Sequence, residues 1–285
     1  MGGSRLTTPS TNAHRVALIT GGSSGIGEAF ALRFLQTGGS VAIVGRSEER
    51  LNAACDRLKQ ACNLSSEAAD ARLAAFPADV RDADRADEVV EAVFARFGKL
   101  DVLVNNAAGN FPVKAEDLST NGWNAVVQIV LNGTFFYSRA YGRKLIKRQQ
   151  PGVIVNVVAT YAWTGGPLVV HSASAKAGVV AMTKTLAVEW APYGIRVNAI
   201  APGPIEDTGG AEHLWPSEEV KAQVLRSIPA GRLGTKEEVA RAMDWLASAD
   251  NSYLTGDILV LDGGRSLGHS SFRPVPKDAA NGGGE

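Results

Sequence analysis

Residues 16–27 read VALITGGSSGIG, and this stretch decides the fold. Five residues rich in β-branched and apolar types, Val16–Thr20, predict a buried strand. The turn Gly21-Gly22-Ser23-Ser24-Gly25 follows, and Ile26-Gly27 opens a segment of helical period. A strand, a glycine turn and a helix in that order let backbone N–H groups and the positive end of the helix approach a pyrophosphate. Gly21, Ser23, Ser24, Gly25, Ile26 and Gly27 are therefore candidate cofactor residues.

The same alternation continues outward. Apolar runs at Val41–Val44, Leu73–Pro77, Val102–Asn105, Val153–Val158, Arg196–Ile200 and Ile258–Asp262 predict six further strands. Helices are predicted to start near Ile26, Glu48, Arg85, Asn121, Ser174 and Lys236. This order implies an α/β single-domain, Rossmann-like, doubly wound parallel sheet of about seven strands. Residues 202–229 break the rhythm with Gly, Pro and acids, and a short helix near Ser217–Ile228 suggests a lid. The expected organisation is a flexible leader over 1–14, a catalytic domain over 15–268 and an extended tail over 269–285.

Composition narrows the function classes. The 285 residues are 45% hydrophobic and 20% charged, and 29 Lys plus Arg balance 29 Asp plus Glu. Zero net charge gives no electrostatic reason to expect nucleic acid or an anionic membrane. No apolar run reaches the roughly 18 residues of a membrane span. Cys55 and Cys62 have neither disulfide-framework nor zinc-ligand spacing, which implies reduced thiols in an intracellular protein. The expected compartment is the cytoplasm, with the mitochondrion as the alternative.

After the second strand an NAD fingerprint wants an acid for the ribose 2′-hydroxyl. This chain has Gly45-Arg46-Ser47, and a guanidinium favours the 2′-phosphate of NADPH through a charge-assisted bidentate pair. The plainer alternative is a solvated Arg46 paired with Glu48 or Glu49. Asp79-Val80 and Asn105-Asn106-Ala107-Ala108-Gly109 fall at carboxyl ends of strands, where such sheets bind ligands.

TGGSSGIG, ADV, NNAAG, Lys176 before a helix and Pro202-Gly203-Pro204-Ile205 together strongly resemble the short-chain dehydrogenase/reductase family. The resemblance implies that Asp79 meets the adenine, Asn105, Ala107 and Gly109 the adenosine side, Lys176 the nicotinamide ribose, and Pro202, Gly203 and Ile205 the carboxamide. The family's usual template places Tyr, Ser and Asn where this chain has Ser172, Ala159 and Val130. Two readings remain open: a non-catalytic NADPH-binding scaffold, or an enzyme whose acid has moved. Tyr161, just beyond the fifth strand, favours the second. A phenol near the Lys176 ammonium is expected to ionise more easily.

NNAAGNF, VLNGT, TYAWTGG and SASAKAG closely resemble the NADPH-dependent 2,4-dienoyl-CoA reductase branch of that family. That resemblance implies that Tyr161 and Asn110 grip the thioester carbonyl, with Ser172 beside them and Phe111 among the substrate contacts. Phe111, Trp163, Leu168, Leu214 and Trp215 are candidate walls for an acyl chain. Residues 167–172 and 263–267 also resemble the sister trans-2-enoyl-CoA reductases, an alternative alongside other carbonyl or alcohol oxidoreductases. Asp207 stands where that branch usually has Thr. The implied partners are an unsaturated acyl-CoA substrate and, by family, further copies of the chain in a homotetramer packed through the fourth and fifth helices. No metal site is expected.

Overall fold

The computed structural model describes residues 12–207 and 217–268. Strands β1 (Val16–Thr20), β2 (Ser40–Gly45), β3 (Leu73–Pro77), β4 (Val102–Asn105), β5 (Gly152–Val157), β6 (Ile195–Pro202) and β7 (Ile258–Leu261) form one sheet. Their order is β3-β2-β1-β4-β5-β6-β7, and every pair is parallel. The expected doubly wound sheet is therefore present. Its direction reverses between β1 and β4, the switch point at which such sheets open a crevice at their carboxyl ends.

Strand alternation sorts the core into two layers. Ala17 and Ile19 face one side, with Phe30 and Phe34 of α1 (Gly25–Gln36), Leu51 and Leu58 of α2 (Glu48–Ala61) and Met243 of the helix Lys236–Ala247. Val16 and Leu18 face the other, with Val89 and Val93 of α4 (Ala83–Phe97) and Tyr137 and Tyr141 of α6 (Gly133–Arg148). Leu186 of α8 (Val170–Trp190) completes that layer. A period of two along β1 thus places helices on both faces.

Three elements differ from expectation. Helix α3 (Ser66–Arg72) fills a stretch for which no helix is predicted. Its seven residues are too short for a clear period, although Ser65 caps it by accepting from the Ala68 N–H at 3.1 Å. The predicted fourth helix is divided into α5 (Thr120–Val127) and α6 by a π-turn at Gln128–Asn132. Helix α8 begins at Val170, four residues before the expected Ser174. Two further helices, α9 (Glu218–Arg226) and α10 (Lys236–Ala247), follow α7 (Tyr161–Thr164) and α8 in the chain. The expected lid retains α9, while 208–216, with Leu214 and Trp215, lie outside the described residues. Residues 1–11 of the leader and the 269–285 tail lie outside them as well.

Asn12, assigned to the leader, is fully buried. Its side chain donates to Asp244 Oδ1 at 2.7 Å and Thr37 Oγ1 at 2.8 Å, while Arg33 Nε donates to Asp244 Oδ2 at 2.9 Å. The described body thus begins at least three residues before Arg15, stapled to α10. Asp244→Ala removes an acceptor shared by two donors, one of them buried, at a cost of about 2 kcal/mol. The melting temperature should fall by about 4–8 °C in calorimetry; an unchanged value would mean that the staple contributes nothing.

Candidate active site

The crevice begins at the β1–α1 turn. Gly21 has φ +64°, and a Cβ there would lie 3.0 Å from the Ala107 Cα. A Cβ on Gly27 would lie 2.5 Å from the Gly21 carbonyl oxygen, so only glycine permits this approach. Ser24 is the N-cap of α1 and makes no side-chain cap bond. The first-turn N–H groups of α1 therefore have no side-chain acceptor from their own cap, an arrangement suited to an anionic ligand.

Asn106, which the motif reading did not single out, holds this turn. Its Nδ2 donates to the carbonyls of Thr20 and Gly21, both at 3.1 Å, and Thr20 Oγ1 accepts from the Asn106 and Ala107 N–H groups at 3.0 and 3.1 Å. Asn105 points the opposite way. It is buried, donating to Ser138 Oγ and Asn156 Oδ1 at 2.9 Å each, and Asn156 donates in turn to Thr183 Oγ1 at 2.9 Å. Alternation at the end of β4 makes Asn105 a cross-sheet strut, so its side chain is not the adenosine contact expected.

At the adenine end, Arg46 forms no hydrogen bond or ion pair among the described residues, and neither Glu48 nor Glu49 pairs with it. Ser47 caps α2 by accepting from the Arg50 N–H at 3.2 Å. Asp79 is held by Arg81, whose Nε donates to both carboxylate oxygens at 3.0 Å. This guanidinium, with help from Arg46, keeps the Asp79 carboxyl below the usual carboxylate range. Val80 is buried against Gly133. Gly109 lies against the π-turn, where a Cβ would come 3.2 Å from Ile129 Cδ1.

The opposite wall comes from the ends of β5 and β6. Gly203 donates to the Leu261 carbonyl at 2.9 Å, and a Cβ there would lie 2.7 Å from Asp262. Ile205 is buried and bridges to Gly234. Asp207 has φ +51°, a conformation that Asp tolerates and β-branched Thr resists. The departure from the family pattern at this position thus coincides with a backbone requirement.

Tyr161 opens α7, and its hydroxyl lies 3.0 Å from Ser172 Oγ in the first turn of α8. Burial pushes the phenol pKa up, and the Ser172 hydrogen bond only partly opposes it. The expectation that Lys176 eases its ionisation is therefore corrected: burial, opposed only by the Ser172 hydrogen bond, holds the phenol above its ordinary range, which keeps it protonated. Lys176 lies in the second turn of α8 rather than at its start, 6% exposed, with Nζ donating to the Val157 carbonyl at 2.5 Å. Burial lowers its pKa to about 8.

Asn110 completes the set. Its side-chain oxygen accepts from the Phe111 N–H at 3.0 Å, which leaves the amide NH₂ as the group able to meet an acceptor. Phe111, Trp163 and Leu168 expose apolar surface, and Leu168 has φ +64°. Nearby, Ala115, Leu118, Thr120, Trp123 and Val170 line a cavity of about 390 Å³. Val130, in the template's Asn position, is buried within the π-turn, and its carbonyl accepts from Thr134 Oγ1 at 2.7 Å.

The family described as Enoyl-(Acyl carrier protein) reductase matches residues 21–266. A crystal structure of a short chain dehydrogenase from Bacillus anthracis is 48% identical, with a TM-score of 0.82, over 90% of this chain and 98% of that one. The chain belongs to the short-chain dehydrogenase/reductase family. A Bacillus subtilis (strain 168) protein named "Probable 2,4-dienoyl-CoA reductase", of the (2E)-enoyl-CoA-producing kind, is 48% identical over 90% of this chain and 99% of its own. A Danio rerio peroxisomal 2,4-dienoyl-CoA reductase, (3E)-enoyl-CoA-producing, is 40% identical over 91% of this chain and 84% of its own. An Agrobacterium tumefaciens structure with bound NADP is 32% identical, with a TM-score of 0.81, over 92% of this chain and 100% of that one. The enzyme is an oxidoreductase of this family.

A nicotinamide dinucleotide fits the residues present: a glycine cradle that a Cβ would fill, a helix start without a side-chain cap, a buried lysine and an Arg46 that forms no ion pair among the described residues. Lys176 supplies a sign that can be checked. Its ammonium exists below about pH 8 and becomes a neutral amine above it. The dissociation constant for NADPH, followed by nicotinamide fluorescence, should therefore rise as pH passes 8, and this limb should be absent from Lys176→Met. A limb that persists in Lys176→Met would assign it to another group.

Proposed function

We propose that this enzyme reduces 2,4-dienoyl-CoA to an enoyl-CoA with NADPH, as an auxiliary step of unsaturated fatty-acid β-oxidation. The observation that carries the reading is the Tyr161–Ser172 pair at 3.0 Å, a phenol displaced from the usual position and replaced there by a short hydroxyl. A phenol at position 172 would serve a carbonyl beside the cofactor. Ser172 leaves that space to a longer conjugated chain.

When bound, NADPH would supply a hydride for the far end of the diene, and the resulting charge would collect on the thioester oxygen. Fixed donors aimed at that oxygen are what the reaction needs from the protein. Ser172 donates to the Tyr161 oxygen, which frees the phenol proton for the dienolate oxygen. The Asn110 NH₂ is the second donor. Protonation at carbon completes the reduction, with Tyr161 or a water bound to it as the acid. Lys176 holds the nicotinamide ribose hydroxyls, and Arg46 holds the 2′-phosphate. The names of the relatives and the NADP-bound structure support this assignment. Phe135 on α6 and Val188 on α8, both exposed apolar residues, suit the homotetramer expected for the family. The proposed compartment is the cytoplasm.

If Tyr161 acts on the transition state alone, Tyr161→Phe should lower kcat on 2,4-dienoyl-CoA about a hundredfold or more with NADPH affinity intact. Near-wild-type turnover would return the site to a binding role. Arg46→Ala should weaken NADPH about tenfold to a hundredfold and leave NADH nearly unchanged, read by titration of both. Equal losses would remove the 2′-phosphate assignment.

A further inference from the structure

His171 sits between the two thioester donors and has no role in the scheme above. It precedes Ser172 in α8 and is fully buried. Neither Nδ1 nor Nε2 has a hydrogen-bond partner among the described residues. A buried polar ring without partners is a standing cost that Phe or Leu at the same place would avoid.

The ring packs on Phe111, with centroids 4.6 Å apart and planes tilted by 59°. Gly122 admits the far edge of that Phe111 ring, since a Cβ on Gly122 would come 3.0 Å from Phe111 Cζ. The Asn110–Phe111 turn lies in a stretch without regular structure, and Phe111 is 39% exposed. Among the described residues, one backbone bond ties the nearby chain to the segment that leads into α8, Val113 N–H to the Leu168 carbonyl at 3.0 Å. The Phe111 backbone is the polar group beside the imidazole, near enough to favour its protonated form yet outside hydrogen-bond geometry, while burial acts more strongly to keep it neutral.

We infer that His171 is a positioning residue for Asn110: when substrate is gripped, its imidazole N–H bonds to the Phe111 backbone carbonyl and locks the turn with the Asn110 NH₂ on the thioester oxygen. Asn110 depends on that turn because its side-chain oxygen is already committed to the Phe111 N–H. Tyr161 needs no such help, being held directly by Ser172. One residue step along α8 therefore registers the two donors against each other. The inference rests on the reading of Asn110 as a thioester donor.

His171→Phe keeps the ring contact and removes the nitrogens, whereas His171→Gln restores a donor. With 2,4-hexadienoyl-CoA and NADPH, His171→Phe should lower kcat about tenfold, leave KM and the NADPH dissociation constant within about twofold, and leave the melting temperature unchanged or higher. His171→Gln should recover to within about threefold of wild type. In an Asn110→Ala background the same His171→Phe change should alter kcat by less than about twofold. A His171→Phe enzyme within twofold of wild type, or an equal loss in both backgrounds, would overturn the inference. Failure of the proposed reaction shows separately, as wild-type enzyme that oxidises no NADPH with this substrate. The positioning role is then read with the unreactive thioester hexanoyl-CoA bound, from amide hydrogen exchange of residues 110–113 in the full chain. His171→Phe, which keeps the ring contact, should speed it about tenfold, and protection equal to wild type would overturn the inference by itself.

Discussion

A lysine ammonium buried under the carboxyl edge of a sheet must recover some of what it loses in leaving water. Lys176 does so on the Val157 carbonyl, the last residue of β5. That bond pins α8 to the strand from which the chain runs on to Tyr161. Ser172 lies four residues before Lys176 on the same face of the helix. Fixing Lys176 therefore fixes Ser172, and the phenol has a hydroxyl waiting at hydrogen-bond distance. On the other side of the crevice, Asn106 and Thr20 bind the glycine turn to the end of β4. The site is the gap between these two backbone junctions.

A chain with no net charge must meet an anionic ligand locally. The resources lie along the carboxyl edge of the sheet: the start of α1, Arg46 with no ion pair among the described residues, Arg81 on Asp79, and the buried Lys176. Neither Glu48 nor Glu49 forms an ion pair with Arg46 among the described residues, and Asp79, which feels its charge, is hydrogen-bonded to Arg81. Around the donors the surface becomes apolar, with Phe111, Trp163 and Leu168 exposed beside a cavity lined by Leu118, Trp123 and Val170. Charge at one end and apolar surface at the other suit a ligand pair of dinucleotide and acyl thioester.

The sheet was legible because strands buried on both faces read as short apolar runs, and the β1–α1 glycines sit where two backbones touch. The start of α8 was not. Val169, its N-cap, makes no side-chain cap bond, and Leu168 before it adopts a positive φ, so no Ser, Thr, Asp or Asn marks the boundary. Reading α8 four residues late hid the fact that Ser172 and Lys176 share a helical face. Asn12 escaped notice because its partner Asp244 is distant in sequence. Asn105 and Asn106 are adjacent and chemically identical, and only the pleat at the end of β4 tells the strut from the clamp. His171, ahead of the expected helix start, reads as an ordinary polar residue until its burial is known.

The central claim is that a displaced phenol and a small Ser172 turn a carbonyl site into one for a conjugated thioester. The most direct measurement follows nicotinamide absorbance of the wild-type enzyme with NADPH and, in turn, 2,4-dienoyl-CoA, trans-2-enoyl-CoA and 3-oxoacyl-CoA of equal chain length. The account predicts oxidation of NADPH with the dienoyl thioester at a kcat/KM at least about a hundredfold above that for the 3-oxo thioester. Preference for the 3-oxo substrate would contradict it.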